Sequence, residues 1–152
     1  MILVIDTSVV VKWIVDEDNF VAARNLLIPD LQRIAPELVL VEMANVLQRK
    51  TRMGQLESTQ AAKAVVNMRH FFDRLVSSVD LVGPAFALSR RLDHSVYDCM
   101  FLTLALSEED GRLVTSDEKF IGKAKAAGYG ERIWDLNVAG IAAATLQENE
   151  NG

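Results

Sequence analysis

The chain opens on "MILVIDTSVVVKWIV", a run in which Asp6, Thr7, Ser8 and Lys12 are the polar positions. The unbroken apolar stretch in "ILVID" has the pattern of a strand covered on both faces, as in a parallel sheet. Thr7 or Ser8 is placed to cap a helix that follows at once and carries Val11, Ile14 and Val15. A second helical stretch, around "FVAARNLLIPD", stops near Pro29. "RIAPELVLVEMANVLQRK" predicts a short strand and then a helix with Pro36 as its first residue. Glu37 in its first turn and Arg49 and Lys50 in its last suit the helix dipole. Gly54 divides this from a helix running roughly Glu57 to Phe72. "SSVDLVG" predicts a short strand, and a helix continues through Ala87 and Leu88 to Leu92. Ser95 opens the clearest helix, "SVYDCMFLTLALSEEDG", which ends at Gly111. "RLVTSD" is the next apolar strand, "EKFIGKAKAAG" a helix closed by Gly128, and "ERIWDL" a last strand before a short apolar helix from Val138.

Strands alternating with helices predict an α/β sandwich around a central, mostly parallel sheet. A length of 152 residues fits one domain, and no repeat, low-complexity tract or linker divides it. Residues 1–146 are read as that domain, and the polar end, residues 147–152, as a disordered tail. The single cysteine, Cys99, excludes an internal disulfide, and no Cys or His pair has zinc-finger spacing. The first apolar run is too short to cross a bilayer and lacks the features of a signal peptide. A soluble cytoplasmic protein with no membrane partner is expected. The net charge of −5 argues against coating nucleic acid by charge alone. If four acids share a metal, however, the rest of the 21 nearly balance the 16 Lys and Arg, so local nucleic-acid binding stays open.

The acids fall in a pattern. Asp6 and Asp117 each end a predicted strand, and in a parallel sheet both ends lie on the edge where α/β folds place their sites. Asp98 stands in the first turn of the helix that feeds the Asp117 strand. Glu42 is the sole acid within "LVLVEMANVL". Each has a local explanation. Asp6 can cap its helix or bridge to Lys12. Asp98 forms a capping box with Ser95. Asp117 can be another cap, and Glu42 can pair with an arginine. Taken together, four anions at one edge repel unless a cation sits among them. Hard divalent ions, Mg²⁺ or Mn²⁺, suit all-oxygen ligands, whereas zinc asks for His or Cys. Neither His70 nor His94 has ligand spacing to a second histidine, and His94 is read as a surface or supporting residue. An acidic Mg²⁺ site at a sheet edge serves phosphodiester chemistry.

"ILVIDTSVVVKWIVDE", "APELVLVEMANVL", "HSVYDCMFLTLA" and "LVTSDEKF", in this order, resemble the PIN domain, specifically the VapC-type toxins of toxin–antitoxin pairs. The resemblance runs from the first strand to the "ERIWDL" strand. It implies a PIN-like α/β/α sandwich and Mg²⁺-dependent cleavage of RNA by an acidic quartet, Asp6, Glu42, Asp98 and Asp117. Asp6 and Asp98 would be the firmest metal ligands, with Glu42 and Asp117 completing the site or orienting the attacking water. Ser8 and Thr115 would support the ligands by hydrogen bonding. A homodimer and a cognate antitoxin are also implied.

Two other readings compete. A PIN-like module that binds RNA or a partner without cutting needs no intact quartet. A dehalogenase-type phosphatase wants a second Asp two residues after the first, where this chain has Ser8. Trp13, Ile14, Phe20, Phe71 and Phe72 suit a core better than an interface. The basic run "QRKTR", Gln48 to Arg52, reads as a solvated helix end that can also guide RNA.

Overall fold

The computed structural model describes residues 1–150. Its centre is β1 (Ile2–Ile5), whose Leu3, Val4 and Ile5 are almost wholly buried, as an apolar run without alternation requires. β2 (Gln32–Pro36) and β4 (Arg112–Thr115) flank it, and β3 (Arg74–Val76) and β5 (Ile133–Asp135) form the edges. The order is β3-β2-β1-β4-β5. Every pairing is parallel, with Val4 opposite Ile34 on one side and Leu113 on the other.

Parallel strands need crossover helices, and right-handed crossovers set the layers. From β1 outward to β3 the chain passes through α1 (Thr7–Ile14), α2 (Phe20–Arg24), α3 (Leu38–Arg52) and α4 (Ser58–Asn67). It then returns across the sheet through α5 (Ser78–Leu92) and α6 (Val96–Ser107), and reaches β5 through α7 (Glu118–Ala126). α6 lies against β1, β2 and β4 with α5 packed on its back, which explains why it is apolar nearly all round. Cys99 through Ala105 are all buried, with Phe101 at 0% exposure. α8 (Leu136–Glu150) packs on α2, where Gly140 approaches the backbone of Ala22. Trp13 is buried, packs its ring on Phe71 and Phe72, and donates to the Ala23 carbonyl, a core role as expected.

Several boundaries differ from the sequence reading. Pro36 closes β2, opposite Val76, and α3 begins at Leu38; a proline is tolerated at a strand end where no ladder donor is needed. The strand expected in "SSVDLVG" lies upstream, at Arg74–Val76, and α5 already starts at Ser78. Val79 and Val82, which suggested a strand, are exposed on that helix. The helix expected to run to Phe72 stops at Asn67 and tightens into a 3-10 turn over Met68–Phe71. α8 continues through residues 147–150, part of the expected tail, and the final two residues lie outside those described. No helix among the described residues is long and apolar enough to cross a membrane.

Candidate active site at the carboxyl edge of the sheet

Asp6 follows β1 directly and Asp117 follows β4 by one residue, so the parallel pairing of these neighbours puts both at one edge. α3 leaves β2 at the same edge and carries Glu42 in its second turn, while α6 begins there with Asp98 in its first turn. Each acid thus arrives from a different segment.

Asp6 occupies the N-cap position of α1, yet its side chain caps nothing. The Ser8 and Thr115 hydroxyls instead donate to Asp6 Oδ2, at 2.6 and 2.8 Å. Both hydroxyls are themselves fixed. Ser8 Oγ accepts from the Ser116 amide at 3.0 Å, and Thr115 Oγ1 accepts from the Asp117 amide at 3.1 Å. Lys12, the other local partner considered, pairs with Glu17. Among the described residues no ion pair neutralises Asp6 or Glu42. Glu42 Oε1 accepts from the Thr7 hydroxyl at 2.8 Å, not from an arginine.

Burial raises the Asp6 carboxyl above its usual range; the Ser8 and Thr115 hydroxyls oppose the rise, and the charge of Asp98 adds to it. Glu42 is raised likewise, first by burial, with Thr7 opposing and the charges of Asp6 and Asp98 adding. Asp6, Glu42 and Asp98 therefore lie within one another's electrostatic reach. Asp98 also presses on its chain neighbour Cys99, whose thiol is pushed up to about 11, chiefly by burial.

Asp98 links this group to Asp117. The Ser95 hydroxyl does accept from the Tyr97 amide and cap α6, but the Asp98 carboxylate engages His94, with Oδ2 2.7 Å from Nε2. Asp117 Oδ2 lies 3.9 Å from the same nitrogen, while its Oδ1 caps α7 by accepting from Phe120 N at 3.0 Å. Asp117 is thus a cap and a member of the cluster at once. The ring of His94, only 10% exposed, stacks on Phe120 with centroids 4.4 Å apart. Ligand atoms of His94, Asp98 and Asp117 all fall within 4.8 Å of one another. The sequence suggests a surface or supporting residue at His94, and the structure places it between two of the acids. Its position four residues before Asp98 was the available signal.

The family model of the PIN domain matches residues 3–126. The chain belongs to the PIN domain family. Within its range of relatives, this PIN domain is 28% identical over 128 residues to Ribonuclease VapC3 of Pyrobaculum aerophilum, covering 83% of this chain and 97% of the relative. Its fold resembles a crystal structure from Pyrobaculum aerophilum at TM-score 0.67 and 19% identity, covering 94% of this chain and 89% of that one. It also resembles VapBC2 of Rickettsia felis, bound to a DNA fragment from its promoter, at TM-score 0.58 and 13% identity, covering 89% of this chain and 98% of that one. A third likeness is VapBC-1 of nontypeable Haemophilus influenzae, at TM-score 0.57 and 15% identity, covering 90% and 98%.

Proposed function

We propose that this PIN domain is a metal-dependent endoribonuclease, the toxin of a toxin–antitoxin pair, working in the cytoplasm. The observation that carries the reading is the joining of four acids at one sheet edge through Asp98, with Asp6 and Glu42 lacking any cationic partner among the described residues. Similarity to Ribonuclease VapC3 supports RNA as the substrate. Likeness to chains of VapBC complexes supports a cognate antitoxin, and a homodimer goes with the same reading.

The donor set fits a hard divalent cation: oxygen ligands in excess, held by neutral hydroxyls that leave their negative charge uncompensated. Asp6 and Asp98 would hold Mg²⁺, with Mn²⁺ as a substitute, and Glu42 and Asp117 would complete the site or orient the attacking water. The bound cation supplies charge to polarise the scissile phosphate and to ease ionisation of water. Ser8 and Thr115 hold Asp6 in place. His94 does the same for Asp98, the kind of outer contact that fixes a ligand's orientation.

Purified protein incubated with mixed RNA is expected to cleave it with Mg²⁺ or Mn²⁺ and to stop with chelator. Asp6→Ala or Asp98→Ala should slow cleavage by about a hundredfold or more, given the several kcal/mol at stake in metal-borne charge stabilisation. Cleavage that survives chelation or both substitutions overturns the reading. Retention of RNA without cleavage under both conditions would instead favour a non-cutting PIN module. The phosphatase alternative lacks its second acid, since Ser8 stands in that place and hydrogen-bonds Asp6.

A further inference from the structure

Beside the acid site lies a second depression, of about 240 Å³, lined by Thr7, Ser8, Lys12, Glu17, Arg49 and Lys50 along with apolar side chains. It shares a wall with the acids, because the Thr7 and Ser8 hydroxyls that line it are those bonded to Glu42 and Asp6. Its charge is opposite. Lys12 from α1 and Lys50 from α3 converge on one carboxylate, Glu17, with Lys12 Nζ 3.5 Å from Glu17 Oε2 and Lys50 Nζ bonded to Oε1. The two lysine side chains are only 11% and 15% exposed, so their ammonium groups are held in place rather than swinging in solvent. Burial alone would raise the Glu17 carboxyl, and Lys50 followed by Lys12 more than offset this and lower it. Arg49 stands exposed at the rim and joins no ion pair among the described residues. Three cations to one carboxylate leave the depression with a positive surplus, set next to a cluster of acids on a chain whose net charge is −5.

Such a pairing has a use in one kind of ligand. A strand of RNA carries an anion at every linkage, so a phosphate placed at the acid site brings another along with it. The chain's negative charge repels that neighbour unless local cations receive it. We infer that Lys12, Lys50 and Arg49 bind the phosphate adjoining the scissile one, with Glu17 as the internal counter-ion that keeps the two lysines in position. The inference rests on the ribonuclease reading and adds to it the path the substrate strand takes, from the acid site over Thr7 and Ser8 toward the end of α3. It also gives a role to the basic run at Gln48–Arg52, of which Arg49 and Lys50 face the depression.

The test uses the intact protein and a short fluorescein-labelled single-stranded RNA with one cleavage point for the wild type. Arg49→Ala, in which no ion pair is lost, and Lys50→Met are compared with wild type for KM, kcat and the dependence of KM on salt. Arg49→Ala should raise KM about two- to fivefold, the range of an exposed charge contact, with kcat unchanged. The logarithmic salt slope should become shallower by about 0.7, the value of one phosphate contact on a single strand. A methylphosphonate, uncharged, at the linkage next to the cleavage point should weaken wild type more than it weakens Arg49→Ala, which retains only the two lysines. If wild type cleaves while both variants keep its KM and salt slope, this inference is overturned and the ribonuclease reading stands. A raised KM with an unchanged slope overturns it too, since the lost contact is then not to a phosphate. If wild type cleaves no RNA with Mg²⁺ or Mn²⁺, the ribonuclease reading fails first and takes this one with it.

Discussion

Asp6 is held by hydroxyl groups, and neutral donors stabilise a buried carboxylate less than a paired cation would. The consequence is a site under charge stress. A carboxyl raised in the folded state binds its proton more tightly there than in the unfolded chain. The stability tied to it is therefore greatest below the unfolded value and is lost as pH rises through the folded one. In chelator, Asp6→Asn should raise Tm at neutral pH by about 2–4 °C, the shift that about 1 kcal/mol gives at this size. The gain should grow as pH rises above the ordinary carboxylate range and the wild-type carboxylate ionises. Mg²⁺ should then raise the Tm of wild type and leave the variant where it is, because ligand binding to the folded state stabilises by mass action. Thermal melts in chelator across pH measure this, and a variant less stable than wild type at neutral pH would contradict the account. The acids are legible in the sequence as a set, because each alone has a local explanation while four at one sheet edge repel one another. His94 is legible only as a residue four before Asp98, because its contact depends on how the loop between α5 and α6 turns at Asp93, a residue in the left-handed region at φ 48°.

At the scale of elements, packing decided where periodicity was ambiguous. β1 and β4 were readable because both faces are buried and the apolar run is uninterrupted. β3 is three residues long, lies at the sheet edge and is half-exposed, so it leaves little pattern. Its apolar neighbours Val79 and Val82 imitate a strand from the outside of α5. Tertiary contact also explains one glycine. A Cβ on Gly140 would lie 2.8 Å from Ala22 Cβ and 2.9 Å from the Ala22 carbonyl oxygen, so α8 sits on α2 at a distance that only glycine allows. Intrinsic helix propensity favours alanine over glycine by about 1 kcal/mol, while overpacking costs about 1–3 kcal/mol. Gly140→Ala should therefore lower stability by about 1 kcal/mol net. Urea unfolding decides the sign, and a stabilised variant would show that the two helices can part freely.

For the molecule as a whole, one apolar cluster runs from Trp13 beneath α1 through β1 and β4 to Ile133 in β5. A continuous core of this kind unfolds as a unit. The two tryptophans stand at separate places around it, Trp13 against Phe71 and Phe72, and Trp134 in β5 beneath the guanidinium of Arg112. Single-tryptophan variants, Trp13→Phe and Trp134→Phe, should each give a fluorescence midpoint in urea that coincides with that variant's circular dichroism midpoint. Separate midpoints would divide the chain into two folding units. The α/β alternation was visible along the sequence, but the strand order was not, since nothing local says that the first strand ends up in the middle. That central position ties assembly of the acid cluster to the order of synthesis. When a ribosome has made β1, α1 and α3, the growing polypeptide holds Asp6 and Glu42 but neither Asp98 nor the strand that covers the open flank of β1. A growing polypeptide at that stage cannot bring the four acids together, and their meeting waits until α6, β4 and Asp117 have been made.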